Sequence, residues 1–108
     1  MNESSIRAIA DYFVSSGLRD IGYNLIALDD CMVLANRNST GYLVPDPVRF
    51  PSGFVNLSKY ITDRGFSFGV YSDRGTLTCD KRAGGYGHYA HDAASYKEWN
   101  ATWLKYDE

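Results

Sequence analysis

Three times in succession the chain passes from a helical segment to a short apolar run that stops at a carboxylate. Ile6, Ile9, Ala10, Phe13 and Val14 recur at helical spacing after a Ser-rich start, and Gly17 stands where a helix ends in a left-handed residue. Tyr23 to Leu28 is an apolar run of strand length, halted by Asp29-Asp30. Residues 36–53 hold all three prolines and read as a long loop. Phe54, Leu57, Tyr60 and Ile61 make the second stripe, closed by Gly65. Phe66 to Tyr71 predicts a second strand ending at Ser72-Asp73. After the glycine-rich loop Ala83-Gly84-Gly85-Tyr86-Gly87 come a third helix, around Asp92–Trp99, and a third strand, Trp103 to Tyr106, ending at Asp107. Alternation of this kind calls for right-handed crossovers and a parallel sheet. The expected fold is α/β: three parallel strands and three helices in a single domain, residues 1–108.

Charge and hydropathy narrow the function classes. A formal net charge of −2 over 108 residues offers no basic surface for phosphates, so nucleic acid is not an expected partner. No stretch approaches the roughly 18 apolar residues of a membrane span. Met1 to Ser5 lacks the basic and apolar regions of a signal peptide. Cys31 and Cys79 are the only cysteines and fit no zinc signature, which needs about four ligands; they are two free thiols or one mutual disulfide. Neither a metal nor another cofactor is called for. Asn-x-Ser/Thr triplets at Asn2, Asn38, Asn56 and Asn100 lean towards a secretory ancestor, or reflect a surface rich in Asn and Ser.

The chemistry sits in the strand ends. In parallel α/β folds the carboxyl ends of the strands form the ligand-binding edge. One Asp after a strand is commonly a helix cap or turn residue; Asp29-Asp30, Asp73 and Asp107 in series point to a shared polar site. Lys105 and Asp107 are two apart on a strand and face the same way, so the ammonium favours the ionised carboxylate that a nucleophile or metal ligand requires. An exposed ion pair of small energetic weight is the plainer reading. Asp29 and Asp30 reach one site only if the strand ends or bulges between them.

At this point several motifs align. Leu28-Asp29-Asp30-Cys31, then Gly41-Tyr42-Leu43-Val44-Pro45-Asp46-Pro47 running into Arg49-Phe50-Pro51-Ser52-Gly53, resemble the second-strand region of family 27 glycoside hydrolases, the α-galactosidases and α-N-acetylgalactosaminidases. Phe68-Gly69-Val70-Tyr71-Ser72-Asp73 with Gly75 and Thr78-Cys79 resembles that family's third strand and following loop, and Trp103-Leu104-Lys105-Tyr106-Asp107 its fourth strand. Ser16-Gly17-Leu18 and Gly22-Tyr23 fit the end of the first helix. The resemblance covers nearly the whole chain, in order. It implies a partial (β/α)8 TIM-barrel segment running from the barrel's first helix to its fourth strand, drawn from a retaining glycosidase of secreted, lysosomal or vacuolar proteins.

By resemblance, Asp107 is the nucleophile, Asp29, Asp30 and Lys105 hydrogen-bond galactose hydroxyls, and Tyr71 and Cys79 line the sugar pocket. The family's first strand, with a sugar-facing tryptophan, would precede Met1, and its acid/base aspartate would follow Glu108. Met32 stands where the family usually has tryptophan. Glu108 stands where the family continues towards a cysteine that normally pairs with the one at Cys79; the usual partner of Cys31 lies upstream. A retaining glycosidase needs two carboxylates, so the expectation is a segment inactive alone that binds galactose or a galactoside at most weakly. Two other readings stand beside it: a doubly wound module holding Mg2+ at acidic strand ends, and a non-catalytic protein that self-associates. A three-stranded parallel sheet covered on one face leaves the other face and both edges bare, which predicts a homodimer, or one helix swung round to the bare face.

Overall fold

A computed structural model describes residues 1–108. Its elements run α1 (Glu3–Ser15), a 3-10 turn at Arg19–Ile21, β1 (Leu25–Ala27), α2 (Gly53–Asp63), β2 (Ser67–Asp73), α3 (Tyr89–Glu98) and β3 (Trp103–Asp107). The strands are parallel in the order β1-β2-β3, with Ala27 opposite Gly69, Gly69 opposite Trp103 and Tyr71 opposite Lys105.

Local chemistry sets the helix ends. Asn2 and Ser5 form a reciprocal capping box, the Asn2 Oδ1 accepting the Ser5 N–H at 2.8 Å and the Ser5 Oγ accepting the Asn2 N–H at 3.1 Å. Gly17 does adopt the left-handed conformation after α1, at φ +83°. Glu3 then ties α1 to the start of α2: its two carboxylate oxygens accept the Ser52 N–H at 3.0 Å and the Ser52 hydroxyl at 2.8 Å. A carboxylate at the first turn of α2 also suits the positive end of that helix.

All three helices lie on one face of the sheet. Phe13 of α1 meets Phe66 at 6.4 Å between ring centres, Phe54 of α2 meets Phe68 at 6.4 Å, and Trp99, just after α3, packs edge-on against Phe54 at 4.8 Å. Phe66, Phe68 and Val70 alternate along β2 onto this face and are buried with Leu57, Ile61, Ile26 and Leu28. Burying each such side chain contributes on the order of 1.5–3 kcal/mol. No helix has swung to the other side, so the sheet is singly covered rather than doubly wound.

The uncovered face is uneven. It carries Leu25, Ala27, Gly69, Tyr71, Trp103 and Lys105, and its central layer is made of the two smallest residues beside one large one. A Cβ on Gly69 would lie 2.7 Å from the Ala27 Cβ and 3.1 Å from the Trp103 ring, so the layer closes only with glycine there. The apolar load on this face is therefore concentrated in Leu25 (40% exposed) and Trp103 (46% exposed).

Two loops leave the carboxyl edge, residues 28–52 after β1 and 74–88 after β2, and they hold each other. The Ala83 N–H donates to the Leu34 carbonyl at 3.2 Å. Arg82 donates to the Val33 carbonyl at 2.9 Å and to Asp46 at 3.1 Å. Arg37 grips Asp92 of α3 through both nitrogens, at 2.6 and 2.9 Å, and donates to the carbonyls of Gly41 and Gly84 at 3.0 and 2.7 Å. Helix α3 begins at Tyr89, three residues before the expected Asp92, and this buried ion pair ties its first turn to the loops.

Candidate active site at the carboxyl edge of the sheet

Because the strands run parallel, their carboxyl ends share one edge, and the matched register of β2 and β3 brings Tyr71, Lys105 and Asp107 onto its inner face. The Tyr71 hydroxyl donates to the Asp107 Oδ2 at 3.2 Å, and the Glu108 N–H donates to the Asp107 Oδ1 at 2.9 Å. Both carboxylate oxygens of Asp107 are thus oriented. Lys105 does not pair with Asp107 as its position suggested. Its Nζ reaches across β2 to the Asp29 Oδ2 at 3.1 Å and lies 5.3 Å from the Tyr71 ring centre. The lysine side chain is long enough to span a strand, and the nearer aspartate carboxylate is already held by Tyr71.

Asp29 and Asp30 diverge because β1 ends at Ala27 and the chain turns through Cys31, whose φ is +69°. Asp29 accepts the Asp30 N–H at 2.7 Å. Asp30 accepts the N–H of Cys31 at 2.8 Å and of Asp80 at 3.0 Å, so it serves as the buckle between the two loops. The Cys31 thiol donates to the Asp80 Oδ2 at 3.2 Å. Cys31 and Cys79 are both free thiols, and Cys79 is exposed. Asp73 stands apart: it is 5% exposed, and its Oδ1 accepts the Gly75 N–H at 2.7 Å, which makes it the turn residue after β2.

These contacts set the protonation states. The Asp30 N–H holds the Asp29 carboxyl below its ordinary value, and the Lys105 ammonium adds to this against the opposing effect of burial. Lys105 is raised by its hydrogen bond to Asp29. Burial, with the charges of Asp30 and Asp107, pushes the Tyr71 phenol far up, so it remains a donor to Asp107 at any physiological pH. Burial and Asp80 raise the Cys31 thiol, keeping it protonated.

The edge therefore gathers Asp29, Asp30, Tyr71, Lys105 and Asp107, with Cys79 close enough to add to the field felt by Tyr71 and Lys105. No three of the strand-end carboxylates Asp29, Asp30, Asp73 and Asp107 come within 4.8 Å of one another; the one such group of acidic and thiol side chains is Asp30, Cys31 and Asp80. That set contains a thiol, whereas Mg2+ takes hard oxygen ligands. Two contributors escaped the sequence reading. Asp80 carries no signal beyond following Cys79, and Met32, noted in the sequence only as a departure from the family, supports β2 through its Sδ, which accepts the Tyr71 N–H at 3.4 Å.

The whole chain, residues 1–108, matches the family model described as alpha galactosidase A. The chain belongs to the alpha-galactosidase family. Among the relatives of that family, it is 45% identical over 108 residues to the alpha-galactosidase of Cyamopsis tetragonoloba, covering 99% of this chain and 26% of that protein. The alpha-galactosidase of Coffea arabica is likewise 45% identical, with 29% of its length covered. Among solved structures, alpha-galactosidase I from Mortierella vinacea superposes with a TM-score of 0.97 at 38% identity, over 100% of this chain and 27% of that one. The Saccharomyces cerevisiae alpha-galactosidase superposes with a TM-score of 0.96 at 35% identity, over 100% of this chain and 24% of that one. A structure of that yeast enzyme with raffinose matches with a TM-score of 0.95. The chain spans about a quarter of the length of these relatives. Its open sheet, with helices on one side only, is a segment of the alpha-galactosidase TIM barrel.

Proposed function

We propose that this chain carries the nucleophile-bearing part of a retaining α-galactoside site, and that these 108 residues alone bind galactose weakly and do not turn over. The observation that carries the reading is the fixed geometry of Asp107: the Tyr71 hydroxyl and the Glu108 N–H aim its carboxylate while the nearest ammonium is engaged by Asp29. A nucleophile must be oriented, and these two hydrogen bonds orient the carboxylate. Asp29, Asp30 and Lys105 present charged and polar groups suited to sugar hydroxyls, with Tyr71 and Cys79 beside them. The sugar is galactose or a terminal α-galactoside.

Absence of turnover follows from the second carboxylate. Retention requires an acid/base about 5–5.5 Å from the nucleophile. Asp29 is held ionised by the Asp30 N–H and Lys105. Asp30 is committed to two backbone N–H groups and Asp73 to one. All three accept hydrogen bonds, and none donates one. An activated aryl α-galactoside, whose leaving group needs little acid assistance, is the fitting assay. The expected rate is background; turnover that disappears in Asp107→Asn would overturn the reading.

We further infer that the isolated chain pairs with a second copy. The support is the strand β3, an open edge exposed on both faces, together with Trp103 and Leu25 on the uncovered side. Light scattering across a concentration series should show twice the monomer mass at high micromolar concentration. A monomer mass there would refute it.

A further inference from the structure

The chain has two histidines, and the fold brings them together. His88 is the N-cap of α3 and His91 stands three residues on, across the first turn, a spacing that puts two side chains on one helical face. Their ring centres are 6.0 Å apart. His88 does not do the ordinary work of an N-cap, because its side chain makes no capping hydrogen bond. Neither imidazole takes part in the network through which Arg37 and Asn38 hold Asp92, Gly41 and Tyr42. Tyr42 packs edge-on against His91, with ring centres 4.6 Å apart, and so fixes that ring against the 35–41 turn. Both histidines are half-buried.

The two rings border one gap. A Cβ on Gly41 would lie 3.4 Å from the His91 Nε2 and 3.8 Å from the His88 Nδ1, so glycine at that position leaves open a space that both nitrogens reach. An ion bonded at about 2.0–2.1 Å to one nitrogen of each ring holds the ring centres roughly 5–6 Å apart. The observed 6.0 Å falls at the wide end of that range, so a small rotation of the rings completes a chelate. His88 also borders a cleft of about 410 Å³ beside the 35–41 turn, which gives water access to the remaining coordination positions. The donor set selects the ion. Asp92, the acidic residue in the first turn of α3, is already bound by Arg37 through both oxygens. The positive end of α3 and the Arg37 guanidinium weigh against a cation held by charge alone. Imidazole lone pairs remain as the donors, and these suit Zn2+, Ni2+ or Cu2+ rather than Mg2+ or Ca2+.

We propose that His88 and His91 form a two-imidazole site for a divalent transition-metal ion, with water in the remaining positions. The site shares no residue with Asp29, Asp30, Tyr71, Lys105 and Asp107, so it stands or falls independently of the galactoside reading. The probe is Ni2+, which is paramagnetic, titrated into the full 108-residue chain and followed by the backbone amide resonances. Broadening should be saturable, centred on residues 40–42 and 87–92, and reversed by a chelator, and Mg2+ should leave the same resonances unchanged. Binding should weaken on acidification, because a protonated imidazole offers no lone pair to the ion. His88→Gln and His91→Gln each remove one ligand and should weaken Ni2+ binding at least tenfold, with the amide spectrum outside α3 and the 35–41 turn unchanged. The competing set of donors is Asp30, Cys31 and Asp80. Broadening centred on residues 30–31 and 79–81 would put the ion there and refute the histidine site. Broadening at α3 that survives in either single variant at undiminished affinity, or none at millimolar Ni2+, overturns it as well.

Discussion

Replacing Arg37 by Met tests the contact that ties α3 to the two loops. The Arg37–Asp92 pair is nearly dry, with side-chain exposures of 10% and 6%. Removing one partner of a buried pair costs about 3–5 kcal/mol, because the remaining charge is left uncompensated. The carbonyls of Gly41 and Gly84 lose their donor in the same substitution. Against a whole-domain stability of about 5–15 kcal/mol, this is a large share. At roughly 4 °C per kcal/mol for a domain of this size, the melting temperature should fall by about 12–20 °C. The double substitution Arg37→Met with Asp92→Leu removes both charges and keeps apolar volume, so part of the loss should return. Full recovery is not expected, since the two carbonyls remain without Arg37, at about 1–3 kcal/mol for each that water does not reach. Urea denaturation of the wild type and the two variants measures all three stabilities. A loss below about 1 kcal/mol in the single variant, or a double variant no more stable than the single one, would refute the assignment of α3 and the 35–41 turn to this pair.

The acid response should be governed in part by Asp46. Burial opposes its charge, but the N–H groups of Arg49 and Val48 and the Arg82 guanidinium outweigh burial and hold its carboxyl below the ordinary 3.8. A depressed folded value contributes stability above the unfolded pKa that is lost as pH falls through the folded one, so Asp46→Asn should lower stability at pH 7 and flatten the decline below about pH 4. An unchanged slope there would contradict the assignment. The two thiols should both react without prior reduction, Cys79 first because it is exposed, and Cys31 more slowly because burial and Asp80 keep it protonated. A mass two units below the reduced value would show a disulfide instead.

The alternation of helical segment and short apolar run predicted three helices and three parallel strands because the first two helices are followed by a glycine, Gly17 and Gly65, and every strand is followed by or ends in an aspartate. The same signals located the site edge, since parallel strands must end together. Side-chain partnerships at that edge were less legible. Lys105 and Asp107 share a face by parity, yet Lys105 turns to Asp29, 76 residues away in sequence, because register and loop path decide which carboxylate is within reach. Asp73 has the same local pattern as Asp107 and is a turn residue, because Gly75 follows it with a free N–H. Arg37 and Asp92 lie 55 residues apart with no periodic pattern to connect them, so the pair that anchors α3 could not be seen before the loops were folded. The makeup of the bare sheet face was not legible either, because its smallest layer, Ala27 beside Gly69, depends on the register of β1 against β2.

The central claim is that Asp29, Lys105 and Asp107 form one sugar-binding edge around a fixed nucleophile. Titration of the chain with galactose, followed by the backbone resonances of residues 28–31, 71 and 104–108, tests it directly. The account predicts a saturable shift confined to these positions, weakened in Asp29→Asn and lost in Lys105→Met while the fold is retained. Shifts spread evenly over the surface, or binding unaffected by either substitution, would contradict it.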